Sequence, residues 1–269
     1  MRTSLVSFLY LLLTIVMPAD GMAQNYDKLF DDILGKQLLG ESPGGTALVA
    51  KKGKVIYKKA FGTADLELEV MMKPDYVFRI GSITKQFTAS AILKLAEEGK
   101  LSLSDTITKF IKDYPMHGFA ITVEHLLTHT SGLEYATSVT GTSGVADLYE
   151  ELGLINSCLS ASENMDLLSQ LPLISQPGEN CIYSVATDVL GAVIEAVTGE
   201  PLGSYVGRAI FDPLGMENSA WRFSNEVLEN RYALIYNSPA PGEAPLGATD
   251  NSGINFQLVK TDVGCEILP

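Results

Sequence analysis

Ser82 and Lys85 stand three residues apart in the run Phe78-Arg79-Ile80-Gly81-Ser82-Ile83-Thr84-Lys85-Gln86-Phe87. On a helix that spacing puts both side chains on one face, a turn apart. A serine hydroxyl is a poor nucleophile until a base takes its proton, and a lysine amine can be that base where burial lowers its pKa. A helix N-terminus adds partial positive charge where an alkoxide develops, and Gly81 leaves no side chain beside the point of attack. The bare pair is a weak signal, because Ser and Lys recur at this spacing by chance. Its setting, after a hairpin and at the head of an apolar helix, makes it a candidate catalytic nucleophile with its base. Two other patterns carry less. His125 and His129 have the four-residue spacing of a zinc pair, but no His-Glu-x-x-His is present. Gly44-Gly45 has no Gly-Lys-Ser/Thr after it and reads as a strand entry.

The elements that must position the pair are legible from local pattern. Tyr26, Leu29, Phe30, Ile33, Leu34 and Leu38 recur at helical spacing, with Asn25 as N-cap and Gly40 past the end. Thr46–Ala50 and Lys54–Tyr57 are β-rich and joined by Lys51-Lys52-Gly53, which predicts an antiparallel hairpin. Thr84 to Glu98 reads as a helix with Phe87, Ala91, Ile92 and Leu95 on one side, closed by Gly99. Val123 to Thr128 reads as a short helix entered from Thr122 and ended by Ser131-Gly132. Gly141 to Gly144 is a small-residue loop. Thr187 to Thr198 is an apolar helix stopped by Gly199 and Pro201. Strands followed by helices place the chain in the α+β class.

The 269 residues begin with Met1-Arg2, a thirteen-residue apolar run from Leu5 to Met17, Pro18, and small residues Gly21 and Ala23 ahead of Gln24. This is the layout of a secretory signal peptide over 1–23, and the run is short of the roughly 20 residues a spanning helix needs. A periplasmic or secreted mature chain is expected, without stable membrane insertion after cleavage. The net charge of −13 argues against nucleic acid as a partner, because a binding surface must neutralise phosphates. Three cysteines are too few for a disulfide framework. Cys158 with Cys181 is the favoured pair if one bond forms, and free thiols read equally well. No metal site and no cofactor is expected. Trp221, Tyr232 and Tyr236 are read as packing residues rather than a pocket lining.

Several blocks, in order, resemble the β-lactamase-related serine hydrolases: class C β-lactamases, penicillin-binding carboxypeptidases and related esterases. They are Gly45–Gly62, Phe78–Phe87 around Ser-x-x-Lys, Leu95–Leu103, Ile121–Leu133, Pro177-Gly178 leading to Tyr183-Ser184, and Asp212-Pro213-Leu214-Gly215-Met216. The resemblance implies an antiparallel sheet flanked by helices with an inserted helical lobe. The α/β part would take 24–79 and 201–269, and the lobe about 80–200. It implies an acyl-enzyme on Ser82 formed from a small-molecule ester or amide, with Lys85 as base for attack. Tyr183 would relay the proton to the leaving group, and the Ser82 N–H would be half of an oxyanion hole.

Two departures refine the expectation. The family's Tyr-x-Asn is Tyr183-Ser184-Val185 here, and valine can neither donate nor accept a hydrogen bond. That favours ester hydrolysis or acyl transfer over β-lactam or D-Ala-D-Ala peptide cleavage. The family's third motif lies well beyond Pro-Leu-Gly-Met, and Lys260-Thr261-Asp262 lacks its glycine and comes too early. The chain is therefore expected to stop before the strands that complete the sheet. An inactive fragment or a binding-only relative is the remaining alternative.

Overall fold

Lys52 and Gly53 both take left-handed backbone conformations, φ 51° and 74°. That pair matches the right-handed twist of two antiparallel strands and makes the tight turn that the glycine predicted. The computed structural model describes residues 26–34, 43–115, 118–134, 161–162, 164–222, 227 and 230–234. The expected signal segment 1–23, the loop 141–144, Cys158, Tyr236, Lys260-Thr261-Asp262 and Cys265 lie outside the described residues. Within them the chain divides into two compact units. One runs to Tyr76 and takes in the stretch from Arg231; the other runs from Val77 to Asn230.

The first unit holds helix α1 (Tyr26–Leu34) and strands β1 (Gly45–Lys51), β2 (Lys54–Phe61), β3 (Thr63–Asp65) and β4 (Val70–Met71). β1 and β2 pair antiparallel from Gly45 opposite Phe61 to Lys51 opposite Lys54, with one irregularity between Val49 and Ala50. β3 and β4 form a second short antiparallel pair. α1 packs on β2: the Phe30 and Tyr57 rings are 5.0 Å apart. Asp31 accepts from Tyr57 Oη at 2.8 Å and pairs with Lys59 Nζ at 2.7 Å.

The second unit is helical. A 3₁₀ turn (Gly81–Thr84) runs straight into α2 (Lys85–Glu97), followed by α3 (Val123–Leu127), α4 (Met165–Leu168), α5 (Ala186–Thr198) and α6 (Leu202–Val206), which continues into a π turn (Gly207–Phe211). α2 buries Thr88, Ala91, Ile92 and Leu95, a stripe at i, i+3, i+4 and i+7. Phe87 meets Phe211 edge-on at 5.2 Å. α2 ends as its glycine predicted. Gly99 has φ 70°, its N–H donates to Ala96 and the Lys100 N–H to Leu95, the paired bonds of a Schellman motif. α5 is buried almost all round (Ala186, Val189, Leu190, Gly191, Ala192, Val193, Ile194), so it is the centre of this unit. Gly191 and Gly203 are there for space. A methyl on Gly191 would meet Leu202 at 2.9 Å, and one on Gly203 would meet the Trp221 side chain at 2.6 Å. Trp221 is thus packed against α6. No helix among the described residues is long and apolar enough to cross a membrane.

Candidate active site

Ser82 sits in the 3₁₀ turn and Lys85 is the first residue of α2, so the pair opens the helix as the spacing predicts. Gly81 has φ 50°, and nothing lies within 4 Å of where its β-carbon would be. The glycine is therefore required by its left-handed backbone, not by crowding at the point of attack. Ser82 is exposed, as are the flanking Ile80 and Ile83.

Tyr183 reaches this turn from the loop ahead of α5. Its hydroxyl donates to Ser82 Oγ at 2.7 Å, and Lys85 Nζ lies 5.0 Å from the centre of its ring. The three residues expected from the sequence thus converge, although 101 positions separate Ser82 from Tyr183. Tyr183 remains 48% exposed, so the shared hydrogen bond faces solvent and a ligand can reach it. With the phenol donating to Oγ, the serine's own proton is directed elsewhere, and Lys85 is the cation-forming group at hand.

The Tyr183 loop is anchored by the segment after α3. Gly178 N–H donates to Thr130 O at 2.7 Å, Ile182 N–H to His129 O at 2.8 Å, and Ile174 N–H to Gly132 O at 2.9 Å. Gly132 (φ 82°) must be glycine twice over, because a methyl there would also meet Ser175 O at 2.2 Å. The two histidines take different tasks. His125 completes a capping box: its N–H donates to Thr122 Oγ1, and its Nδ1 accepts from the Thr122 N–H at 3.3 Å. His129 turns toward the loop. Its Nδ1 accepts from the Ser184 N–H at 3.3 Å, and its ring lies 4.9 Å from that of Tyr183 at 30°. Burial, then the charge of Lys85, hold the His129 pKa below its usual 6.5. This neighbour of the site went unrecognised as such in the sequence. Its one local signal is a backbone that only folding reveals, φ 55° in a residue other than glycine.

The two residues after Tyr183 point inward. Ser184 is fully buried, and Val185, where the resemblance places the family's asparagine, is 3% exposed and part of the hydrophobic core. Cys181 is an exposed free thiol whose Sγ lies 3.5 Å from Thr128 O. Among the described residues, no group of three His, Cys, Asp or Glu side chains could hold a metal ion.

The family described as Beta-lactamase matches residues 28–254, and the chain belongs to it. Esterase EstB of Burkholderia gladioli is 33% identical over 238 residues, 84% of this chain and 57% of that protein. Among solved structures, EstCE1, a hydrolase with promiscuous acyltransferase activity, is similar at 31% identity and TM-score 0.67, over 82% of this chain and 61% of that one. A penicillin binding protein from Bacillus halodurans is similar at 30% identity and TM-score 0.62, over 74% and 60%. The fold is that of the β-lactamase and transpeptidase class. The chain spans about three-fifths of the length of these relatives.

Proposed function

We propose that this chain carries the nucleophile of an exported serine hydrolase acting on carboxylic esters, by hydrolysis or transfer to another acceptor. The observation that carries the reading is the 2.7 Å hydrogen bond between Tyr183 and Ser82, with Lys85 against the same ring. Ser82 Oγ attacks the acyl carbon while its proton passes to Lys85, which accepts it only as the free amine. The acyl–oxygen bond then breaks, and the departing alcohol takes a proton by way of Tyr183. Water, or an acceptor alcohol, reverses the sequence on the acyl-enzyme, giving its proton to the same pair.

Val185 supports esters over amides. A valine buried in the core offers no hydrogen bond to the amide side chain of a penicillin or a cell-wall peptide. The exposed Ile80 and Ile83 beside Ser82 suit an apolar acyl group. The relatives that are named as an esterase and as a hydrolase with acyltransferase activity agree with this choice. Export, to a periplasm or outside the cell, rests on the Leu5–Met17 run. Sequencing the N-terminus of the secreted or periplasmic chain would show Gln24 first.

The decisive experiment is the intact mass of the purified chain after treatment with a fluorophosphonate, beside Ser82→Ala. A single adduct on the wild type and none on the variant is expected. No adduct on folded protein would overturn the reading. Turnover of short p-nitrophenyl esters without labelling by a fluorescent penicillin then selects ester chemistry. The reverse result selects β-lactam or D-Ala-D-Ala peptide chemistry.

A further inference from the structure

His129 meets the Tyr183 loop at three points. Its carbonyl accepts from the Ile182 N–H at 2.8 Å, its Nδ1 accepts from the Ser184 N–H at 3.3 Å, and its ring lies against the phenol between them. Residues on both sides of Tyr183, and its ring, are therefore held by one side chain and its own backbone. The Ser184 hydroxyl adds to the grip, 3.4 Å from Nδ1, while it accepts from the Ala186 N–H at 3.2 Å. We propose that His129 is the positioning residue for Tyr183, aiming the phenol at Ser82 when its ring is neutral and releasing it when the ring is protonated.

The Ser184 N–H can only donate, so its 3.3 Å bond to Nδ1 requires that nitrogen unprotonated, with the proton of the neutral ring on Nε2. Adding a proton to Nδ1 sets N–H against N–H at Ser184 and brings a second positive charge to the side chain of Lys85. The half-buried ring and the lysine charge already disfavour that proton, which places the transition below pH 6.5. The titratable and charged groups on the packed elements are Lys85, Lys94 and Glu97 on α2, Glu124 and His125 on α3, Glu134 on the same segment, Glu179, Cys181 and Tyr183 on the loop, and Asp188 and Glu195 on α5. Among the described contacts, it is the His129 side chain that accepts from the loop backbone next to Tyr183.

The proposal rests on the reading of Ser82 and Tyr183 as the reacting pair, and its test separates the two. His129→Asn retains an acceptor for the Ser184 N–H and suits the left-handed backbone, but does not titrate. The ratio of kcat/KM for His129→Asn to wild type on a p-nitrophenyl ester is expected to rise as pH falls from 7.5 to 5. Below the His129 midpoint it should grow by up to about ten-fold per pH unit. Carbon-13 histidine NMR of the wild type, assigned through bonds, should give a His129 midpoint below 6.5, with the Tyr183 ring signals moving at the same midpoint. Parallel pH profiles for the two proteins overturn the proposal. So does Tyr183 ignoring the His129 titration, or a midpoint at or above 6.5. Absence of any fluorophosphonate adduct alongside coupled NMR titrations would refute the hydrolase reading and support the positioning role.

Discussion

On the proposed mechanism Tyr183 is the side chain on which the chemistry turns, because its hydroxyl donates to Ser82 Oγ. Tyr183→Phe keeps the ring against His129 and below Lys85 while deleting the proton. A loss of about 10²–10⁴ in kcat with little change in KM is expected, as for removal of a general acid–base group. Steady-state kinetics on a p-nitrophenyl ester check it, and an unchanged kcat would remove Tyr183 from the mechanism. The Ser-x-x-Lys pair was legible as soon as its setting was considered, since a helix brings residues three apart onto one face. The separate duties of His125 and His129 were not. Both stand in one short block, and only the folded backbone shows that one caps α3 while the other faces the tyrosine.

α3 is a five-residue helix and cannot persist by itself, since isolated helices this short are unstable in water. Its capping box and its buried Val123 and Leu126 hold it, and it delivers His129 and Thr130 to the Tyr183 loop. Thr122→Ala removes the side-chain acceptor for the His125 N–H and should destabilise the protein by about 1 kcal/mol. A lowered urea midpoint at unchanged slope would show it. Because the cap lies next to the anchor of the loop, the same variant should lose ester turnover before it loses its fold. At this level sequence and structure agree where the pattern is local. The Lys52-Gly53 turn, the Ala91/Ile92/Leu95 stripe and the Gly99 and Gly199 stops follow from backbone preferences and periodicity alone.

Across the helical unit, the core surrounds α5 and extends to Tyr114, which is 4% exposed and whose hydroxyl has no hydrogen-bond partner among the described residues. Burial pushes its pKa up to about 12. The folded state therefore favours neutral Tyr114. Its contribution is complete below the unfolded value near 10 and is lost as pH rises toward 12. By pH 11 the loss should be about 1–1.5 kcal/mol. Tyr114→Phe should abolish that alkaline loss and, having no hydrogen bond to break, should leave stability at pH 7 unchanged or raised. Urea melts at pH 7 and 11 on both proteins test this. An equal alkaline loss in the variant would assign the effect to other groups.

The sequence by itself determined the hairpin, the positions of α1, α2, α3 and α5, the Ser82–Lys85 face and the family to which the chain belongs. Each is written in spacings of a few residues or in short blocks, where backbone geometry and local burial set the outcome. Only the tertiary structure decided that the Tyr183 hydroxyl meets Ser82, that Val185 turns into the core, and that His129 grips the tyrosine loop. Those contacts join residues 55 and 101 positions apart. They depend on how α2, α3 and α5 pack around one core, which no local preference specifies.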